Sequence, residues 1–238
     1  MGIDVSDAKV VTFNPGHERR VVTDVARKPP RRQFSSIEVA SVFARKSVRH
    51  DNDDGNPLIY ALKGMSGYTM PYGSFREIYR CGAEILPKAL DGIDFDMIVP
   101  LPSSSAVAAI FAERASRCGG KCPIIRCLNK ATFGQVLEFA PPMGMVEKRL
   151  RQQYGKQLRA LQKADPNATF QMKKVKLPLR PYFMPVVANA DAPLIAGHRI
   201  LLVDDILGSG TSITAATHAL KDSGAIGMSG LTLMGQLA

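Results

Sequence analysis

The chain has 238 residues, 45% of them hydrophobic and 22% charged. That is enough apolar material for one sizeable α/β domain, and it excludes a disordered polar chain. No apolar run approaches the ~18 residues a membrane span needs, and the first residues, MGIDVSDAKVVTFNPGHERR, lack the basic start and apolar core of an export signal. A cytoplasmic location with no membrane partner is therefore expected. The formal net charge of +10 fits simple solubility or an anionic ligand, either a polyphosphate metabolite or a nucleic acid, and composition does not separate these. Four cysteines, Cys81, Cys118, Cys122 and Cys127, are too few for a disulfide scaffold and are expected to be reduced thiols. Their spacing in CGGKCPIIRC is not the paired C-x-x-C of a zinc ribbon, and no histidine is nearby.

In chain order, residues 1–56 read as a poorly organised basic segment, with Pro29-Pro30, Arg31-Arg32 and the polar cluster HDNDDGNP as a turn or linker. Within it, SSIEVASVFARKS predicts one short helix capped by Ser35 or Ser36. Leu58, Ile59, Tyr60 and Leu62 predict a short strand. GSFREIYRCGAEILPKAL predicts a helix burying Phe75, Ile78, Ile85 and Leu86. FDMIVPLPSSS follows as a short strand running into two prolines and three serines. A helix is predicted over SAVAAIFAERASRC, with Val107, Ile110, Phe111 and Ala115 as its stripe, and KCPIIRCL suggests the next strand.

Residues 133–190 have a different texture. Leu150, Tyr154, Leu158 and Leu161 mark an amphipathic helix, and Lys148, Arg149, Arg151, Lys156, Arg159 and Lys163 occupy its other faces. FQMKKVKLPLRPYFMPVV alternates enough to predict a hairpin or two short strands. The tail then resumes as strand, loop, helix and strand. Strands separated by helices imply a parallel sheet.

The most informative stretch is RILLVDDILGSGTSITAATHAL, from Arg199 to Leu220. Ile200 to Val203 are apolar without alternation, as in a central parallel strand buried on both faces. Asp204 and Asp205 then fall at its carboxyl end, where α/β sheets gather their ligands. Two adjacent ionised carboxylates repel and resist burial, so a purely structural role explains them poorly. They suit vicinal hydroxyls or a metal-bound ligand. Gly208, Ser209, Gly210, Thr211 and Ser212 follow, and a glycine-hydroxyl turn at a helix start is an anion cradle, most naturally for a monophosphate. It is neither a P-loop nor a dinucleotide fingerprint, since both spacings fail. A sugar carrying a 5′-phosphate fits both halves.

ILLVDDILGSGTSI closely resembles the phosphoribosyl-pyrophosphate (PRPP) signature of type I phosphoribosyltransferases. The resemblance implies a mainly parallel sheet flanked by helices over residues 57–238, with residues 133–190 as a long insert, lid and small hood. It gives Asp204 and Asp205 the ribose hydroxyls and Gly208 to Ser212 the 5′-phosphate. DMIVPLPSSS is similar to the family's pyrophosphate strand and loop, which would place Pro102, Ser103, Ser104 and Ser105 on pyrophosphate. CLNKATFGQVL resembles a stretch of ComF-like phosphoribosyltransferases and would bring Lys130, Thr132 and Gln135 to the same side. The ComF-like zinc ribbon and R-G-F-N-Q run have no counterpart here.

By that resemblance the activity is transfer of ribose 5-phosphate from PRPP to a nitrogen acceptor with release of pyrophosphate. Asp204, Asp205 and Lys130 would be catalytic. Mg²⁺ would arrive with PRPP, with Asp204 and Asp205 as possible protein ligands. A homodimer is also implied. Members that use 6-oxopurines carry an aspartate where Gly208 stands, which argues against hypoxanthine or guanine as acceptor. The alternative is a non-catalytic or regulatory PRPP or nucleotide binder whose basic segments engage nucleic acid, or an effector partner of the kind found in retron-type defence operons.

Overall fold

The computed structural model describes residues 1–34, 36–46 and 56–236. Its centre is a six-stranded sheet formed by β3 (Val21–Val22), β4 (Arg31–Phe34), β5 (Ile37–Arg45), β6 (Met97–Pro100), β9 (Arg199–Ile206) and β10 (Gly227–Gln236). The order is β3-β5-β10-β9-β6, and β4 also pairs with β5. β5, β10, β9 and β6 are mutually parallel, while β3 and β4 run antiparallel along β5.

The apolar run of β9 explains its place between β10 and β6. Ile200, Leu201, Leu202 and Val203 are all fully buried. Side chains alternate across a strand. Leu201 and Val203 accordingly enter the core beneath α2 (Tyr72–Leu90) and α3 (Val107–Cys118), while Ile200 and Leu202 enter the core beneath α6 (Thr211–Asp222). A mainly parallel sheet flanked by helices is thus present, as the sequence predicts.

Several local expectations are corrected. SSIEVASVFARKS does not form a helix: it contributes β5, with Ile37, Val39, Ala40, Val42 and Phe43 buried. Its β-branched residues pack on both faces, and the buried Ser41 hydroxyl is satisfied by Thr232 at 2.7 Å. Ser35 lies outside the described residues, as does most of the polar cluster. Residues 1–34, expected to be loose, hold a hairpin of β1 (Gly2–Val5) and β2 (Val11–Asn14) as well as β3 and β4. Leu58, Ile59, Tyr60 and Leu62 form the short helix α1 (Asn56–Leu62), not a strand. Pro57 in its first turn is tolerated because the N–H it lacks has no intrahelical partner there. Phe75 and Ile110, expected inside, are exposed.

KCPIIRCL supplies only an isolated bridge between Ile124 and Ile98. The strand β7 (Leu128–Lys130) pairs antiparallel with β8 (Val186–Ala188). Between them lies a hood with its own core, built from α4 (Phe133–Glu138), α5 (Arg151–Leu161) and 3-10 turns. FQMKKVKLPLRPYFMPVV is mostly these turns, since Pro178, Pro181 and Pro185 remove donors that a hairpin requires. Phe133, Tyr154, Phe170 and Phe183 form the hood's aromatic core, and the Tyr154 hydroxyl donates to the Pro141 carbonyl at 2.6 Å. Tyr154→Ala should destabilise the protein by about 3–5 kcal/mol, the usual cost of deleting a buried aromatic ring, measured by urea unfolding.

Candidate functional site

The two carboxylates at the end of β9 face opposite ways. Asp205 continues the Leu201–Val203 side and is buried, with a side chain 4% exposed. There it meets Lys63, just past α1, whose ammonium lies 2.6 Å from Asp205 Oδ2. Ser103 Oγ donates to the same oxygen over a longer 3.4 Å. Asp204 lies on the other side, is half-buried, and accepts from the Asp205 N–H at 2.8 Å. Burial and the neighbouring Asp205 carboxylate push the Asp204 carboxyl up to about 7, against the opposing pull of that backbone bond, Lys63 and Lys130.

The loop after β9 begins with the Leu207 N–H donating to the Met234 carbonyl of β10 at 2.7 Å. Gly208 and Ser209 are exposed. Gly210 is in the left-handed region at φ 74° and caps α6. A Cβ there would overlap the Phe34 ring of β4, so this turn needs glycine for conformation and for space. Ser209 and Thr211 hydroxyls are 2.9 Å apart, and the first N–H groups of the twelve-residue α6 are directed at the same turn.

The serine loop completes the constellation. The Leu101 N–H donates to the Val203 carbonyl at 2.8 Å, which ties the end of β6 to β9. Pro102 is half-buried, and Ser103 and Ser104 are exposed. The Ser105 N–H donates to Ser103 Oγ at 3.2 Å. The acid pair, the glycine-hydroxyl turn and the serine loop therefore meet at the carboxyl ends of two adjacent parallel strands. Lys130, exposed on β7, is near enough to act on the Asp204 charge.

Thr132 and Gln135 are engaged with each other at the start of α4. The Gln135 N–H donates to Thr132 Oγ1 at 3.3 Å and the Thr132 N–H to Gln135 Oε1 at 3.0 Å, a reciprocal capping box for α4. Lys63, by contrast, had no signal in the sequence beyond the glycines that follow it. Among the described residues, no group of three or more His, Cys, Asp or Glu could hold a metal.

Residues 136–232 match the phosphoribosyl transferase domain family. The match opens in α4 and includes the acid pair, the glycine-hydroxyl turn and α6, whereas Lys63, Lys130 and the serine loop lie outside it. No curated protein and no solved structure matches the chain. The central, mostly parallel sheet flanked by helices is consistent with a type I phosphoribosyltransferase-like fold, and the match over residues 136–232 supports assignment to that family. A phosphoribosyltransferase-type or PRPP-binding function follows from the domain.

A carboxyl whose folded value is raised stabilises the protein below its unfolded value, near 4, and loses that contribution as pH rises to about 7. Asp204→Asn should therefore match the parent near pH 4 and melt higher at pH 8, by roughly 2–4 °C for each kcal/mol of relief. Thermal unfolding across pH checks this.

Proposed function

We propose that the chain is a phosphoribosyltransferase that takes PRPP with Mg²⁺ and transfers ribose 5-phosphate to a nitrogen acceptor. The observation that carries this reading is the meeting of Asp204, the Gly208–Ser212 turn and the Pro102–Ser105 loop beside one strand end. Asp204 would accept hydrogen bonds from the ribose hydroxyls. The turn, with the N-terminus of α6, would hold the 5′-phosphate. Ser103, Ser104 and Ser105 would donate to pyrophosphate oxygens, and Lys130 would place a cation on the same side.

In the transfer, the C1–N bond forms as the C1–O bond to pyrophosphate breaks, the nucleophile loses its proton, and the bonding electrons leave with pyrophosphate. Developing positive charge at C1 is compatible with the nearby Asp204 carboxylate, while donors preset in the serine loop stabilise the departing anion. Asp204 suits a partner cation, because burial and Asp205 leave its negative charge under-compensated. Asp205 is already matched by Lys63. Asp204 would be the residue to hold a Mg²⁺ arriving with PRPP, and the ion would neutralise charge on the pyrophosphate. A cytoplasmic location and a homodimer accompany this reading as expectations.

A second reading has its own support. Lys156, Arg159 and Lys163 are exposed along and just beyond α5, which suits a PRPP- or nucleotide-sensing protein that binds nucleic acid through the hood, or acts as an effector partner.

At 100 times Kd, PRPP with Mg²⁺ should add about 2.7 kcal/mol to stability, read as a rise in melting temperature. Asp204→Asn should abolish the rise. Pyrophosphate release should appear with a nitrogenous base, though not with hypoxanthine or guanine, given Gly208 at the head of the turn. No stabilisation by PRPP would refute the site, whereas stabilisation without turnover plus salt-sensitive RNA or DNA binding would favour the second reading.

A further inference from the structure

We propose that the two aspartates divide their work: Asp204 alone is the ligand carboxylate, and Asp205 is a positioning residue, clamped by Lys63, that sets the serine loop against the end of β9. This rests on the reading of the site given above.

The geometry separates the two groups. They project from opposite faces of β9, and the Asp205 side chain is 4% exposed while that of Lys63 is 16% exposed. Asp205 Oδ2 already receives Lys63 Nζ at 2.6 Å and Ser103 Oγ at 3.4 Å. That oxygen is thus already occupied in a nearly closed setting, and a ligand that displaced Lys63 from it would leave a buried unpaired charge.

From that oxygen the clamp extends through the loop. Ser103 Oγ donates to Asp205 and accepts the Ser105 N–H at 3.2 Å. Thus the rotamer of one buried carboxylate fixes the turn that leads into α3. Lys63 is held in its turn, since its N–H donates to the Ile59 carbonyl at 3.0 Å. The chain beyond it turns through left-handed Gly64, Ser66 and Gly67. Lys9 Nζ, from the N-terminal hairpin, donates to the Ser66 carbonyl at 2.9 Å. Lys63 also cancels one of two adjacent negative charges, so a polyanionic ligand approaches one carboxylate instead of two.

The clamp sets the position of the pyrophosphate half relative to the ribose half. Its loss should weaken ligands that use the serine loop and spare those that use only the turn and Asp204. The probes are ribose 5-phosphate, inorganic pyrophosphate and PRPP with Mg²⁺, titrated calorimetrically into the full chain. Asp204→Asn should weaken ribose 5-phosphate by roughly tenfold or more, about 1.4 kcal/mol. Lys63→Met and Asp205→Asn should leave ribose 5-phosphate within about twofold while weakening pyrophosphate and PRPP by roughly tenfold. Lys63→Arg, which keeps the charge, should recover much of the loss.

Because a lone buried charge can unfold the chain, the paired change Lys63→Met with Asp205→Leu is the second variant. Replacing a buried ion pair by apolar groups is often tolerated, and this protein should keep ribose 5-phosphate binding while losing pyrophosphate affinity. An Asp205→Asn variant that loses ribose 5-phosphate as severely as Asp204→Asn would overturn the division, as would Lys63→Met with unchanged pyrophosphate and PRPP affinity. A parent protein that binds neither half-ligand would instead overturn the reading of the site.

Discussion

Adjacent residues on a strand buried on both faces must point into different halves of the protein, and that constraint organises the end of β9. Two carboxylates side by side would be untenable if they shared one environment. Asp205 enters the half of the core under α2 and α3 and is matched there by Lys63. Asp204 enters the half under α6, where Lys130 acts on it from β7 and where the glycine-hydroxyl turn begins. The acid pair is therefore two environments that share a backbone: Lys63 is bonded to Asp205, and both Lys63 and Lys130 act on the Asp204 charge.

The sheet supplies the precision such a site requires. One backbone bond, from Leu101 to Val203, anchors the serine loop to β9, and another, from Leu207 to Met234, anchors the glycine-hydroxyl turn to β10. Both loops thus leave rigid strand ends, which is where positioning is most accurate. The N-terminal part of the chain participates as well. Phe34 on β4 fills the space beside Gly210, and the β1–β2 hairpin steadies the turn after Lys63 through Lys9. β5, also from this part, is hydrogen-bonded along much of β10.

What the sequence disclosed depended on whether the cause was local. RILLVDD states its own environment: four apolar residues in a row followed by charge fit only a doubly covered strand and its exit. The glycine-hydroxyl turn is equally self-contained, because a left-handed residue at a helix start favours glycine, and Gly210 takes that conformation. IEVASVFAR is not self-contained. Its apolar residues satisfy either period, and only the ladder with β10 resolves it as β5. Thr132 and Gln135 carried a local signal of another kind, since T-x-x-Q is a capping-box spacing, and α4 uses it that way. Lys63 lies 142 positions before Asp205, just past a helix that its apolar residues suggested was a strand. No periodicity reports such a contact, because tertiary packing alone creates it.

The same distinction applies to charge. A net charge of +10 invites the picture of one cationic surface, yet many of these cations are committed to structure. Arg151 donates to the Val146 and Gly144 carbonyls, Arg180 donates to the Val175 carbonyl, and Lys174 lies over the Phe133 ring. Arg199, at the amino end of β9, holds the Asp96 carboxyl down at about 2 through a two-pronged contact. β9 therefore begins in a surface ion pair and ends in a carboxylate that resists ionisation. The strand end where negative charge is least stable is also where a glycine-hydroxyl turn and the start of α6 present donors. An anion seated in that turn would add negative charge beside Asp204, so binding a phosphorylated ligand there calls for a cation, a proton on Asp204, or a closer Lys130. The electrostatics of one strand end would thus link the charge of an anion in that turn to the protonation of Asp204.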